Sequence, residues 1–299
     1  MVDDFRRVRS RRDACTVNTM EAATSTSSPA PVAAFDRIVV PVSFYPPNNR
    51  SIPVAEHLAA QFGCGIEITS MLYDRDHAQS RQHLLEKMAG EIRGRTVKVT
   101  LRHGSDPAPF VLDLINAHDA LVVLAGGTTV LGIPGSVTAD VLRFASRPAV
   151  IVGPRVSLDW HGPVKHLVVP LDGSPAAEGA LETASRWTQA TGAELDLVQV
   201  ITPRDAAALT NLDSDVEESA YLEHVGEAIE HIARTRINWD VLHASAIHRA
   251  TTICNRAEQR PGGMICMATH GSGHTHSMFA STTLRVVHHA TVPVLVTRS

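Results

Sequence analysis

Two stretches of this sequence are written to one plan. The first opens with Arg37-Ile-Val-Val-Pro-Val-Ser43, a β-branched apolar run closed by the turn-forming Pro46-Pro47-Asn48-Asn49. That pattern predicts a buried strand followed by a loop. A helix is expected over 51–62, a strand over 66–73, a polar helix over 80–92 and a strand over 97–101. In Gly104-Ser105-Asp106-Pro107, Asp106 can cap a helix that carries proline in its first turn and reaches His118. The apolar run Leu121–Leu124, a Gly-rich loop, a helix from Gly135-Ser136 to Arg147 and a strand Pro148–Val152 complete a βαβαβαβαβ unit. The second stretch repeats it, from Lys165-His-Leu-Val-Val-Pro170-Leu-Asp172 to Pro293-Val-Leu-Val-Thr297.

Two anchors fix the register of this duplication. Pro41 stands near the end of the first strand as Pro170 does in its repeat, and Gly135 lies 13 residues before Pro148 as Ala280 lies 13 before Pro293. Strands apolar along their whole length and joined by helical crossovers imply an α/β fold of two tandem, doubly wound parallel sheets. In such sheets ligands sit at the carboxyl ends of the strands, where the strand order reverses. The expected domains are 36–154 and 164–299, with 155–163 as linker. Residues 1–34 read as a disordered tail, because Arg6, Arg7, Arg9, Arg11 and Arg12 give way to Thr24-Ser-Thr-Ser-Ser-Pro-Ala-Pro31 without periodicity; Met20 offers a second possible start.

A length of 299 residues accommodates two ordinary domains, and 44% hydrophobic against 19% charged residues suffices for a core in each. A net charge of −4 with 4% aromatic residues argues against nucleic acid as a partner. No run approaches the roughly 18 apolar residues of a membrane helix, and the Arg-rich start leads into no apolar leader, so a cytoplasmic protein without membrane contact is expected. Cys15, Cys64, Cys254 and Cys266 form no CxxC pair, which suits inert thiols in a reducing compartment.

Val169-Pro170-Leu171-Asp172-Gly173-Ser174-Pro175-Ala176, Ala268-Thr-His-Gly271 and His289-Ala-x-x-Pro293-Val-Leu-Val296 resemble the signature segments of universal stress proteins. The resemblance covers about 36–154 and 164–299. Nucleotide-binding members carry G-x-x-G-x9-G-[ST], which presents backbone N–H groups and a helix N-terminus to phosphates. Here Ala268-x-x-Gly271 stands for the first pair, and the cap is Ala280-Ser281 after eight residues or Ser281-Thr282 after nine. Equal helix length in the two halves favours Ala280-Ser281. The first and third glycines are absent, while Gly271, Gly273, Ser281 and Thr282 remain as donors. By the same resemblance Asp172 and Gly173 lie near ribose or adenine, Pro170 shapes the pocket floor and Val200 faces the adenine. The bland alternative for Asp172 is a carboxylate that caps its own turn.

The first half keeps Gly135-Ser136 but has Ser43 at the acidic position and a shorter loop from Gly126-Gly127, so a full phosphate cradle is not expected there. Ser136 and Ser281 read as helix caps rather than nucleophiles, and no catalytic residue is assigned. His270, His274, His276, His288 and His289 are concentrated near the end without a carboxylate or cysteine to complete a metal set; His289 suits the negative end of its helix. Asp213, Asp215, Glu217 and Glu218 read as the solvated start of a polar helix.

The resulting expectation is a nucleotide-responsive stress or regulatory protein, with ATP or another adenine nucleotide in the second domain. The rival is an interaction or dimerisation module whose loops have decayed; a slow ATPase is a third class. The resemblance also implies that the closing strands 149–152 and 294–297 pair within one chain, as an intrachain pseudo-dimer that two-domain chains could further assemble into a homodimer. The stretch from Pro154 to Pro163 spans about 30 Å when extended, enough to permit that join.

Overall fold

The computed structural model describes residues 35–44, 47–73, 77–117, 120–126, 136–202, 214–245, 247–269 and 278–298. The tail 1–34 lies outside them. The first half contains β1 (Arg37–Pro41), β2 (Ser43–Phe44), β3 (Pro47–Asn48), α1 (Ser51–Phe62), β4 (Gly65–Leu72), α2 (Ala78–Glu91), β5 (Val97–His103), α3 (Pro107–Asn116), β6 (Ala120–Ala125), α4 (Ser136–Phe144) and β7 (Ala149–Val152). The second contains β8 (His166–Leu171), α5 (Pro175–Thr191), β9 (Glu194–Ile201), α6 (Ser214–Ala233), β10 (Ile237–His243), α7 (Arg249–Glu258), β11 (Gly263–Thr269), α8 (Met278–His289) and β12 (Val294–Arg298).

Local chemistry sets the helix ends where the sequence places them. Asp106 accepts from Ala108 N at 3.0 Å with Pro107 in the first turn of α3, and Ser174 caps α5 with Pro175 behind it. The loop expected after β1 is built differently: Ser43–Phe44 folds back on Pro47–Asn48 as a two-stranded ribbon.

Both halves belong to one ten-stranded sheet, ordered β10-β9-β8-β11-β12-β7-β6-β1-β4-β5. Within this sheet every pairing inside a half is parallel. The join is antiparallel: β12 meets β7 with Val294 opposite Ile151, Leu295 opposite Val150 and Val296 opposite Ala149. This is the intrachain pairing of closing strands that the resemblance implies. All four residues of β7 and the first four of β12 are buried, so two apolar edges cover one another.

Side chains alternate between two cores. One, with Val40, Leu167, Leu197 and Leu295, is roofed by α1, α2, α5 and α6; the other, with Val39, Val168, Ile151 and Val294, by α3, α4, α7 and α8. The halves also touch through helices. Phe62 of α1 meets Trp187 of α5 edge to face at 4.9 Å. A side chain at Gly153 would lie 2.0 Å from the carbonyl oxygen of Val287 in α8, so the chain leaving β7 passes flush against that helix.

The connection between halves is fastened to α1. Arg50 donates to Val156 O at 2.7 Å, Gln61 both donates to Val164 O and accepts from Val164 N, and Trp160 packs edge-on to His57. Each half also buries one carboxylate at the same register position, Glu67 opposite Val39 and Asp196 opposite Val168. Glu67 is held by Arg37 at 3.2 Å and Thr100 at 2.9 Å, and Asp196 by a two-pronged contact from Arg256 at 2.8 and 3.1 Å. A carboxylate left unpaired in such a place costs several kcal/mol, so these partners are obligatory.

If the join unites the halves energetically, Leu295→Ala should cost about 2–5 kcal/mol, the usual range for a fully buried leucine. Urea unfolding followed by circular dichroism should show one transition displaced as a whole. Two separate transitions, with only one displaced, would show that the halves unfold independently.

Candidate functional site

The chain steps outward from β8 through β9 to β10 and returns on the other side of β8 as β11. The carboxyl ends of β8 and β11 therefore flank the crevice where strand order reverses, and β1 and β6 flank its counterpart in the first half.

In the second half Pro170 is buried at the end of β8, Val200 at the end of β9 and Ala268 at the end of β11. Val200 faces the core shared with α7 and α8. Asp172 and Gly173 follow β8 and are exposed. Gly173 has φ +76°, a left-handed turn that carries the chain from strand into helix. Asp172 Oδ1 accepts from Ser174 N at 3.1 Å and from Ser174 Oγ at 2.6 Å, while Ser174 Oγ accepts from Ala177 N at 3.1 Å. The acidic group is thus oriented by the turn it opens, and the turn is locked to the first turn of α5.

Thr282, in the first turns of α8, is half-buried. Ser281 belongs to the same helix, but its side chain, and with it Gly271, Gly273, His270, His274 and His276, lies outside the described residues. The crevice as described is therefore the floor, the acidic turn and the α8 backbone. His289 sits in the last turn of α8, as its proposed dipole role requires. Burial, reinforced by His289, pulls the neighbouring His288 below the ordinary histidine range. Asp213 and the side chains of Asp215, Glu217 and Glu218 also fall outside the described residues, at the start of α6.

The structure adds two residues that no sequence motif singles out. Tyr221, from α6, donates its hydroxyl to Glu178 of α5 at 2.8 Å. Burial, then the Glu178 hydrogen bond and the charges of Glu178 and Asp172, push the phenol well above its ordinary range beside the acidic turn. Glu178 was visible only as an acid in the first turn of a helix, and Tyr221 only as one aromatic on a polar one.

The first half is built differently. Pro41 pairs with Thr69 as Pro170 pairs with Val198, which puts Met71 where the second half has Val200. The Met71 sulfur fills the space beside Gly104, 2.6 Å from where a side chain there would begin. Ser43 is exposed on the ribbon, and Arg81 lies over the ring of Phe44 at 5.7 Å while donating to Met71 O at 3.0 Å. The loop 127–135 lies outside the described residues. A groove of about 300 Å³ lies at the opposite end of the second half, between Trp160, Pro163 and Lys165 and the start of β11. It is remote from the crevice. Cys64, Cys254 and Cys266 are buried free thiols, and burial pushes Cys254 and Cys266 up to about 12. Among the described residues no group of three or more potential ligands could hold a metal, and no helix is long and apolar enough to cross a membrane.

A model of the universal stress protein family matches residues 163–298, the whole of the second half. The second half of the chain is a universal stress protein domain. A universal stress protein of Mycolicibacterium smegmatis is 27% identical over 259 residues, covering 83% of each chain. Another, of Mycobacterium tuberculosis, is 25% identical over 228 residues and covers 71% of this chain and 74% of the relative. Both alignments are longer than one half, so the likeness extends across the duplication. Among solved structures, a universal stress protein from Archaeoglobus fulgidus superposes with a TM-score of 0.63 at 20% identity, covering 88% of this chain and 98% of that one. That match is one of fold.

Ser174→Ala should remove the cap of α5 and destabilise the protein by about 1 kcal/mol. Chemical denaturation measures this. A cost near zero would mean that the Asp172–Ser174 turn does not hold the helix end.

Proposed function

We propose that this protein binds one adenine nucleotide, ATP in the first instance, in the second-half crevice, and that loading alters its part in a stress response or its choice of protein partner. It acts as a binding and regulatory protein rather than an enzyme, and it works in the cytoplasm. Its working units are 36–154 and 164–299 with 155–163 between them, one chain standing in for two subunits.

The contrast between the two reversal points carries this reading. Behind β8 stand an exposed carboxylate on a left-handed glycine turn and a short β-branched floor residue, Val200. Behind β1 stand a serine, a folded-back ribbon pinned by Arg81, and the longer Met71. Pro170 and Val200 supply an apolar surface for a base and Asp172 and Gly173 polar contacts for a sugar; the resemblance assigns the phosphates to Ala268, Gly271, Gly273, Ser281 and Thr282, ahead of a helix whose N-terminal N–H groups favour anions. A second reading, an interaction module that binds no nucleotide, draws on Asp172 Oδ1, which already accepts two hydrogen bonds from Ser174, and on the absent motif glycines.

Titration calorimetry with ATP on the full chain separates the two. The nucleotide reading expects one site, at least tenfold weaker in Val200→Trp (about 1.4 kcal/mol or more) and unchanged in Met71→Trp. No heat with any adenine nucleotide favours the second reading; a loss confined to Met71→Trp moves the site to the first half. ADP appearing on prolonged incubation would make the protein a slow ATPase.

A further inference from the structure

The sheet ends in β5 on one side and β10 on the other, and among the described residues no strand lies beyond either. These edges are counterparts in the duplication: β4 pairs Ile66 with Val97 as β9 pairs Leu195 with Ile237, so Val97–His103 matches Ile237–His243 position for position. Their sequences have nevertheless diverged in charge. Lys98, Thr100 and Arg102 occupy the positions of Asn238, Asp240 and Leu242.

The backbone defines what each edge offers. Ala244 N donates to Ile201 O and Leu195 N to Arg236 O, so even-numbered residues of β10 bond inward to β9, and Ile237, Trp239, Val241 and His243 turn their N–H and C=O groups outward. The bonds Gly104 N to Leu72 O and Ile66 N to Thr96 O make the same division in β5, leaving Val97, Val99, Leu101 and His103 outward. The outward-bonding residues carry the apolar side chains, for Val97, Val99, Leu101, Ile237 and Val241 pack on the core beneath α2 and α6. Trp239 is 41% exposed and Ile232, on the adjoining α6, 56% exposed.

We propose that β5 of one molecule adds to β10 of a second copy of the chain. First-half strands run antiparallel to second-half strands across the β7–β12 join, so a copy placed alongside in the same orientation brings β5 antiparallel to β10. Full overlap sets Val97 against His243, Val99 against Val241, Leu101 against Trp239 and His103 against Ile237. The outward backbone groups of Val99, Leu101, Trp239 and Val241 then meet one another, and the apolar side chains pair on one face. On the other face Thr100 opposes Asp240, with Lys98 and Arg102 on its diagonals, and their side chains are 68% and 49% exposed against 44% for Asp240. Asp240 also lies 3.3 Å from Arg256, which orients it on that face.

Symmetric alternatives are disfavoured by the same arithmetic. Two β5 strands in full overlap oppose Lys98 with Arg102, and two β10 strands oppose Asp240 with itself, both like-charge pairs. The contact is therefore head to tail, and it propagates into open chains unless a rotation closes it.

Sedimentation velocity on the full chain tests the proposal with two edge variants, Leu101→Lys and Trp239→Lys, each placing a lysine guard on one edge. Wild type should gain mass steadily as concentration rises. Each variant alone should stay monomeric, with wild-type circular dichroism showing that it is folded. An equimolar mixture should form a dimer and nothing larger, because one intact β5 and one intact β10 remain to meet. A wild type that stays monomeric overturns the proposal, as does association of either folded variant alone or a mixture of folded variants that fails to dimerise.

Discussion

The antiparallel meeting of β7 and β12 is the contact on which the molecule depends. Each strand alone would be a fully apolar edge with unsatisfied backbone groups, and each half would end its sheet in a hazard. Pairing Leu295 with Val150 at the centre satisfies both at once and turns two five-stranded sheets into one. The helices follow from this. Once the strands are shared, α1 lies against α5 on one face and α4 against α8 on the other, and Phe62 reaches Trp187 across the boundary. The connection is drawn onto α1 by Arg50 and Gln61.

Within this symmetric frame the two reversal points have been built for different ends. The second half keeps an open turn: Asp172 is held by Ser174, Ser174 holds α5, and Tyr221 stands close by with its hydroxyl donated to Glu178. The first half spends the corresponding positions on packing, with Met71 against Gly104 and Arg81 joining Phe44 to the end of β4. A family defined by fold and signature segments thus carries here one candidate ligand site and one region given over to structure.

Much of this was legible in the sequence because it is local. Runs such as Leu121–Leu124 and Val294–Val296 are buried on both faces and announce strands by composition; Asp106-Pro107 and Ser174-Pro175 announce helix starts by chemistry. The 51–62 helix is found where its spacing places it, and the closing strands pair as the resemblance implies. What was not legible depends on partners distant in sequence. Asp196 looks like a charge interrupting a strand until Arg256, 60 residues later, grips it, and Glu67 waits for Arg37 and Thr100 in the same way. The ribbon at 43–48 hides behind prolines that ordinarily signal a plain loop. Tyr221 gains its place only when α6 crosses α5. For Asp172 both readings survive in one geometry, since the turn that occupies Oδ1 also holds the carboxylate at the crevice.

The central claim is that one half of this duplicated chain carries a ligand and the other does not. Mass spectrometry of the small molecules released by denaturing freshly purified full-length protein, with the amount referred to protein concentration, addresses it directly. The account predicts an adenine nucleotide approaching one per chain; none, or two per chain, would contradict it.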